Sequence, residues 1–304
     1  MTSSSSQLQL VSLTIFSLLA FAANSILCRL ALTAEAFDPF WFSVIRIASA
    51  ALLLSLLALP VLDEIKQWRS ALTSSFFLSL YVFAFSYSYV ELDAGVGAFI
   101  LFSSVQIMMT VSSIKNGQQV SGLKWFGMTL VLVGLAMLLL PSEESVELSI
   151  QAVVLMLFAA VGWVGFLLTG LSSPLSQGKP LLAVAIAFRW SIVWALIVSL
   201  VLLTLGSDSQ GSMPFNMSSL TERPLGLLYA ILSGAVASGI GYAVWYKVLP
   251  QLGVYRAGQI QVSVPAITVL MAVLVLSEVI TAGMWLAIGV MSVGLLISVY
   301  QKAK

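Results

Sequence analysis

Long, uninterrupted runs of apolar residues follow one another through this chain. Each run has about 20 residues, the length of helix that crosses a hydrocarbon layer of roughly 30 Å. The runs stay apolar at successive positions, whereas a membrane-barrel strand alternates over about ten residues. The pattern predicts ten transmembrane helices, at residues 10–33, 40–60, 71–90, 95–114, 125–141, 149–170, 181–205, 225–246, 257–276 and 280–300.

The composition agrees with an all-α, polytopic membrane protein. Of 304 residues, 60% are hydrophobic and 8% are charged, and the mean hydropathy is +1.06. Soluble proteins carry about 25% charged residues, so a water-soluble globule is excluded. A net charge of +1 provides no basic stripe to bind the phosphates of nucleic acid. We therefore expect the chain to contact the lipid bilayer and not nucleic acid.

Few side chains are suited to catalysis or to metal binding. The chain has one cysteine, Cys28, and no histidine, which excludes an intrachain disulfide and removes the commonest metal ligand and general base. We expect no cofactor, no metal and no enzymatic activity. A membrane enzyme or a receptor remains as an alternative, although no motif supports either. The sequence leaves the oligomeric state open and is compatible with a monomer.

Charged residues in the connections predict the orientation of the chain. With the amino terminus in the cytoplasm, basic residues collect in the inner loops, as the positive-inside rule requires. They include Arg69, Lys115, Lys124, Lys179, Lys247 and Arg256. Acidic residues then collect outside, with Arg223 and Arg29 as basic exceptions; they include Glu35, Asp38, Glu91, Asp93, Glu222 and Glu278. We expect both termini to be cytoplasmic.

Two segments of the chain repeat a spacing. Trp125 and Gly134 in the fifth span lie nine residues apart, as do Trp285 and Gly294 in the tenth, at an offset of 160. An odd number of spans in each copy inverts the second copy relative to the first. Such inverted repeats are typical of alternating access, in which a central site opens to one side and then to the other.

The repeat divides the chain into three parts. We predict an amino-terminal tail over residues 1–9, a first five-helix repeat over 10–142 and a second over 143–304. The fold class is therefore an inverted repeat of five plus five helices around a central cavity.

Several features occur in a recognisable order. They are Arg46 and Arg189 early in spans two and seven, Ser263-Val-Pro265-Ala266 in span nine, Leu276-Ser277-Glu278 after it, and Trp285, Gly289 and Gly294 in span ten. In these features the chain resembles the ten-helix EamA-type branch of the drug/metabolite transporter superfamily. The resemblance implies a secondary carrier of a bacterial inner membrane for a small-molecule substrate. Exporters of aromatic amino acids are among the members it implies.

Polar side chains at mid-membrane depth are candidates for substrate contact, because hydrocarbon offers them no partner. Amide and hydroxyl groups there would bind the ammonium and carboxylate of a zwitterion; the alternative is hydrogen bonding between helices. In span nine, Gln261 is expected to point away from the face that carries the candidates. The candidates of spans four and nine are Phe99, Ser103, Gln106, Gln259 and Ser263.

Three aromatic residues and one polar interruption complete the predicted binding site. Tyr81, Trp163 and Tyr242 would form an aromatic wall for an apolar ring. Asn24 interrupts span one, and such breaks mark transporter sites. Glycines beside Trp163 and Tyr242 clear space for a substrate or, alternatively, for another helix backbone.

Arg46 and Arg189 lie within two turns of predicted helix starts. An arginine at the bilayer centre costs at least about 2.5–3.5 kcal/mol on insertion scales, so we expect both to snorkel to the nearer surface. As an alternative they act in gates, with Arg46 meeting Glu91 or Asp93 when the outside is closed. No carboxylate falls in the middle of a span, which disfavours a pump that titrates a buried glutamate.

The sequence thus favours export of amino acids, aromatic or otherwise apolar, by alternating access. A carrier of cationic drugs from the same superfamily is the alternative, although no buried anion is visible to hold such a cation.

Overall fold

The computed structural model describes residues 4–58, 68–115, 117, 121–139, 149–172, 179–205, 215–278 and 281–299. Within these ranges the secondary structure is helical, with no β-strand. The all-α prediction is confirmed.

Ten long helical stretches in this part of the chain follow the predicted spans in order. Eight of them are long and apolar enough to cross a bilayer, and the apolar stretches of α5 and α10 are shorter, Gly122–Gly134 and Trp285–Ser298. The chain is a multi-pass membrane protein. The stretches are α1 Ser4–Arg29, α2 Pro39–Leu57, α3 Trp68–Ser88, α4 Ala94–Lys115, α5 Gly122–Leu139, α6 Ile150–Ser172, α7 Pro180–Leu205, α8 Pro224–Gly253, α9 Arg256–Leu276 and α10 Ala282–Val299.

Three stretches contain π-helical turns, in which each N–H bonds five residues back. They are Leu30–Ala34 at the end of α1, Ser233–Ile240 inside α8, and Ala272–Leu276 at the end of α9. Such turns are rare in proteins, and those that occur are often found at functional sites. The segment in α8 bears directly on the candidate site described below.

The amino-terminal region differs from its prediction. Helix α1 begins at Ser4, inside the segment expected to be a tail, and it runs unbroken through Asn24, where an interruption was expected. The regular helix changes only at Leu30, six residues later. Residues 1–3 and the predicted boundary between residues 142 and 143 lie outside the described residues.

The helices pack in a regular set of pairs. α3 contacts α6 and α7, and α8 contacts α1 and α2; α4 contacts α6, and α9 contacts α1. Three further pairs are α2 with α7, α4 with α9, and α5 with α10. α4 is the most enclosed, since 83% of its most apolar window is buried, against 33% for α9. The core therefore lies around α4 and the helices that contact it.

A kink separates α8 from α9. Gly253 has φ 76° and ψ 157°, a backbone conformation that residues other than glycine rarely adopt. Pro250 lies three residues before it. Beyond the kink the chain returns into the bundle, where Ala257 and Gln261 are buried. The kink therefore sets which face of α9 meets the core.

Candidate functional site

Arg46 lies at the centre of a buried polar cluster. It is the eighth residue of α2, about 10 Å along the helix from Pro39, and none of its surface is exposed. Its Nε donates to Ser238 Oγ at 2.9 Å, and its Nη2 donates to the hydroxyls of Tyr242 at 2.8 Å and Tyr81 at 3.2 Å. The expectation that Arg46 snorkels to a surface is wrong, because hydroxyls from α3 and α8 solvate its guanidinium inside the bundle.

Asn24 completes this polar cluster from α1. Its Oδ1 accepts from Ser233 at 2.8 Å and from Ser238 at 3.2 Å, and its Nδ2 donates to Tyr242 Oη at 3.4 Å. The two serines lie five residues apart within the π-helical segment of α8. A π-helical turn brings residues five apart close to the same face, so both hydroxyls reach one carbonyl oxygen. Asn24 therefore lies in the same buried cluster as Arg46, although its helix is unbroken there.

Among the described residues, the cluster contains a positive charge and no negative charge to pair with it. Arg46 Nη1 is buried without a hydrogen-bond partner, and no carboxylate is paired with Arg46 in the described part of the chain. The guanidinium carbon lies 5.1 Å from the Tyr81 ring centroid and 5.0 Å from that of Phe85, so two aromatic rings give it cation–π stabilisation. The cluster thus carries a positive charge that only neutral groups surround.

An aromatic cluster of Phe21, Tyr81, Trp163 and Tyr242 adjoins the guanidinium. The Trp163 centroid lies 4.8 Å from that of Tyr242, 5.2 Å from that of Tyr81 and 5.2 Å from that of Phe21. All four side chains are buried. Edge-to-face and tilted pairs of this kind are the favoured arrangements of buried aromatic rings. The structure therefore brings the three predicted aromatic residues together and adds Phe21 from α1.

Gln261, expected to point elsewhere, contacts the aromatic cluster. Its Oε1 accepts a hydrogen bond of 2.8 Å from the indole Nε1 of Trp163, and its side chain is buried. Ser263, by contrast, is exposed and its hydroxyl bonds back to the carbonyl of Ile260. The expectation that Gln261 points away from the site is therefore wrong, because the face of α9 that carries Ala257 and Gln261, and not the face that carries Ser263, packs into the bundle.

The α4 candidates are buried beside α9. Phe99, Ser103 and Gln106 are 2%, 0% and 3% exposed, and the Ser103 Oγ and Gln106 Oε1 atoms have no hydrogen-bond partner among the described residues. A Cβ added to Gly258 would lie 3.1 Å from Gln106 Oε1, which places this oxygen against α9. Gln259 is half-buried, and its Nε2 is likewise buried without a described partner. These groups form a second polar region, between α4 and α9.

The glycines beside Trp163 serve helix packing. A Cβ on Gly162 would lie 2.5 Å from the backbone nitrogen of Tyr81, and one on Gly165 would lie 2.3 Å from the ring of Phe77. Small residues of this kind let two membrane helices approach closely. They set the distance between α3 and α6, and thereby hold Tyr81 beside Trp163.

An ionic cluster closes the end of the bundle where α1 and α9 end and α4 begins. Arg29 Nη2 lies 3.0 Å from Asp93 Oδ1, and its Nε lies 3.6 Å from Glu278 Oε1. Glu278 also accepts from the backbone N–H of Ala94 at 2.8 Å, which stabilises the start of α4. Burial raises the pKa of Glu278.

The predicted gate residues lie elsewhere. Glu91 is exposed, and Asp93 pairs with Arg29, so neither contacts Arg46. Arg189 is half-buried at the far end of α2, where its Nε donates to Ser55 Oγ at 2.8 Å and its Nη2 donates to the carbonyl of Ala58. A guanidinium there donates to a carbonyl group that the end of α2 leaves without a helical partner. This agrees with the expected position of Arg189 near a surface.

Sequence reasoning missed four contributors to these clusters. Phe21 is one apolar residue among many in α1, and Ser233 and Ser238 lie in a run of small residues that read as packing. Arg29 was noted only as an exception to the charge rule. Two signals were available. Helical spacing is interrupted around Ser233–Ile240, and Arg29 is a basic residue on the acidic side of the membrane.

Comparisons with known proteins relate the chain to a transporter family, to an uncharacterised relative and to a solved fold. A model of the EamA-like transporter family matches residues 9–140. An uncharacterised protein of Pseudomonas aeruginosa is 37% identical over 270 residues, which cover 88% of this chain and 86% of that protein. A solved crystal structure superposes with a TM-score of 0.60 at 16% identity, covering 95% of this chain and 97% of the other, which establishes similarity of fold alone.

Proposed function

Because the chain belongs to the EamA-like transporter family, of the drug/metabolite transporter superfamily, we propose that it exports amino acids, aromatic or otherwise apolar, across a bacterial inner membrane. The observation that carries this proposal is the buried polar and aromatic clusters between the predicted halves. Asn24, Arg46 and Tyr81 come from α1 to α3, and Trp163 and Tyr242 come from α6 and α8. A site shared in this way is accessible to either side through movement of one half against the other.

The pattern of helix contacts supports an inverted repeat. If α1 to α5 correspond to α6 to α10, the contact of α3 with α6 corresponds to that of α8 with α1, and the contact of α4 with α6 corresponds to that of α9 with α1. The contact of α3 with α7 likewise corresponds to that of α8 with α2. Exchanging the two halves turns each of three further pairs into the same pair: α2 with α7, α4 with α9, and α5 with α10. A twofold relation between the halves accounts for all of these contacts.

Close contacts between α5 and α10 have the same symmetry at single residues. A Cβ on Gly134 would lie 2.9 Å from the carbonyl oxygen of Ala287, and one on Gly294 would lie 2.6 Å from that of Gly127. Adding the offset of 160 to Gly127 and Gly134 gives Ala287 and Gly294, which are the residues in these contacts. This supports the duplication inferred from Trp125 and Trp285 and their glycines.

The ionic cluster supports alternating access. With both termini in the cytoplasm, Arg29, Asp93 and Glu278 lie at the outer ends of their helices, and their contacts join α1 to the start of α4 and the end of α9. In this arrangement the outer side is closed. Opening requires these contacts to break, as a gate must.

The chemistry of the clusters favours amino acids over organic cations. The rings of Phe21, Trp163 and Tyr242 suit an apolar side chain, and hydroxyl and amide groups suit the polar end of the substrate. The unpaired charge of Arg46 would repel an organic cation, which disfavours the carrier of cationic drugs.

Counterflow in liposomes tests the function. Purified protein would be reconstituted with internal unlabelled substrate, and entry of radiolabelled phenylalanine, tryptophan, threonine or methionine would be followed. We expect counterflow that is fastest for the aromatic substrates and abolished by Trp163→Ala. The matched control is Trp125→Ala, because Trp125 is 50% exposed on α5. If none of the four amino acids enters, or if both variants behave alike, the proposal is refuted.

A further inference from the structure

The unsatisfied side of the Arg46 guanidinium identifies the chemical class of ligand. We propose that Arg46, with Tyr81, forms a carboxylate-binding site and that the substrates of this protein carry one carboxylate on an apolar body. The inference rests on the transporter function proposed above, because it concerns the same buried clusters. It goes further in making the carboxylate the required group and the ammonium group of an amino acid dispensable.

The polar cluster holds more hydrogen-bond donors than acceptors. Arg46 has five N–H groups, and three of them bond to Ser238, Tyr81 and Tyr242. Both hydrogens of Nη1 have no acceptor, although this nitrogen is completely buried. Tyr242 donates to Tyr81 at 3.2 Å, so the remaining tyrosine hydroxyl hydrogen has no acceptor in the described structure either. The cluster therefore has N–H and O–H donors without acceptors, and a ligand that satisfies them must supply hydrogen-bond acceptors.

Within the cluster itself, the acceptors are already in use. The carbonyl oxygen of Asn24 accepts from both Ser233 and Ser238. The hydroxyl oxygens of Tyr242 and Ser238 accept from Arg46. The missing acceptor must therefore come from outside this set. A carboxylate suits the position, because its two oxygens accept the parallel N–H groups of a guanidinium and short, charge-assisted hydrogen bonds from a phenol.

Charge balance leads to the same class of ligand. The ion pairs of the described residues belong to Arg29 and do not include Arg46, so the membrane interior holds one net positive charge at this position. A ligand with one negative charge neutralises it, whereas a cation would add to it. No anionic side chain lies in the cluster to receive an ammonium group, so an amino acid gains there through its carboxylate and its side chain.

The apolar wall restricts the rest of the ligand. Phe21, Tyr81, Trp163 and Tyr242 have centroid separations of 4.8–6.4 Å, and two of them, Tyr81 and Tyr242, contact the guanidinium. A ligand whose carboxylate meets Arg46 would extend its body among these rings. An aromatic ring or a branched alkyl chain suits the apolar wall, whereas a charged group placed among the rings would be costly to bury.

Equilibrium binding to the purified wild-type protein tests the inference. Radiolabelled 3-phenylpropionate would be the probe, and L-phenylalanine, 2-phenylethylamine and 3-phenylpropionamide would be competitors, since all four share one ring and differ in charge. We expect 3-phenylpropionate and phenylalanine to bind, and the amine and the neutral amide to compete about 30-fold or more weakly. Competition by 2-phenylethylamine equal to that by phenylalanine would overturn the inference, as would the absence of binding of 3-phenylpropionate at millimolar concentration.

Variants assign the binding to the two side chains. Arg46→Gln should weaken 3-phenylpropionate binding about 30-fold or more, and Arg46→Lys should recover part of it because the charge is kept and the planar fork is lost. Tyr81→Phe keeps the ring and should weaken binding roughly tenfold; it provides the test if Arg46→Gln does not fold. The matched control is Arg69→Gln, because Arg69 is exposed at the start of α3. Unchanged affinity in both Arg46→Gln and Tyr81→Phe would overturn the assignment.

Binding and transport are separable in this design. Selective binding of carboxylates without counterflow would refute the transporter function and leave the carboxylate site standing. Counterflow of 2-phenylethylamine at the rate of phenylalanine would overturn the carboxylate site and leave a transporter.

Discussion

Two buried tyrosines allow the strength of the Arg46 contacts to be measured. Tyr242 and Tyr246 are 1% and 2% exposed on α8, and a change to phenylalanine keeps both rings in place. Tyr242 Oη accepts from the charged Arg46 Nη2 at 2.8 Å, whereas Tyr246 Oη donates to the carbonyl of Phe166 at 2.7 Å. Tyr242→Phe therefore removes this charge-assisted hydrogen bond together with two longer neutral ones, from Asn24 at 3.4 Å and to Tyr81 at 3.2 Å. Tyr246→Phe removes the neutral hydrogen bond to Phe166.

The magnitudes of the two losses differ. Hydrogen bonds to charged groups contribute about 1.5–3 kcal/mol, and neutral hydrogen bonds between membrane helices average about 0.6 kcal/mol. We expect Tyr242→Phe to lower the free energy of unfolding by about 2 kcal/mol and Tyr246→Phe by about 0.6 kcal/mol. The difference is close to a tenfold change in the folding equilibrium.

Unfolding in mixed micelles measures this difference. Each variant would be titrated with a denaturing detergent while tryptophan fluorescence is followed, because Trp163 and Trp245 are buried close to Tyr242. A loss of stability in Tyr246→Phe that equals or exceeds the loss in Tyr242→Phe would refute the reasoning. It would mean that Arg46 gains no more from its hydroxyl partner than a neutral donor does.

Three further predictions concern packing and the ionic cluster. Gly162→Ala should destabilise the protein by about 1–3 kcal/mol, since its Cβ would meet backbone atoms at 2.5 Å, whereas Gly289→Ala, with nothing within 4 Å, should be neutral or slightly stabilising in the same titration. Cys28 is completely buried, so a membrane-impermeant maleimide should label it slowly in the wild type and faster in Asp93→Asn, which weakens the closed ionic cluster; equal rates would contradict the gate. Because burial raises the pKa of Glu278, the folded protein binds that proton more tightly than the unfolded chain does. Stability should therefore fall as pH rises from the ordinary carboxyl pKa to the raised one, and Glu278→Gln should remove that slope; an unchanged slope would show that another group causes it.

The positions and order of the long apolar helices followed directly from sequence, because lipid requires about 20 apolar residues for each crossing helix. The environment of individual polar residues did not. Arg46 read as a snorkelling residue because its hydroxyl partners lie 35 to 196 positions away in the chain, beyond the reach of local spacing. Proximity of this kind depends on which helices pack together.

The inward face of span nine did not follow from helical spacing alone. Gln259 and Gln261 lie about 200° apart on the same stretch of helix, so spacing separated their faces without showing which face meets the core, and Gln261 is the buried one. Tyr81, Trp163 and Tyr242 were expected to form one aromatic wall, and their rings lie together. Which face of a helix turns inward depends on the helices packed against it.

The eight-residue π-helical segment of α8 makes chain length itself a determinant of the site. A π-helical turn is equivalent to one residue inserted into an α-helix, and each residue of an α-helix turns the chain by about 100°. Deleting one residue from Ser233–Ile240 would restore regular hydrogen bonding but rotate Tyr242 and Trp245 by that angle, away from their present partners. Relatives that bind other compounds could therefore differ here by a gap in the alignment while retaining every one of these side chains.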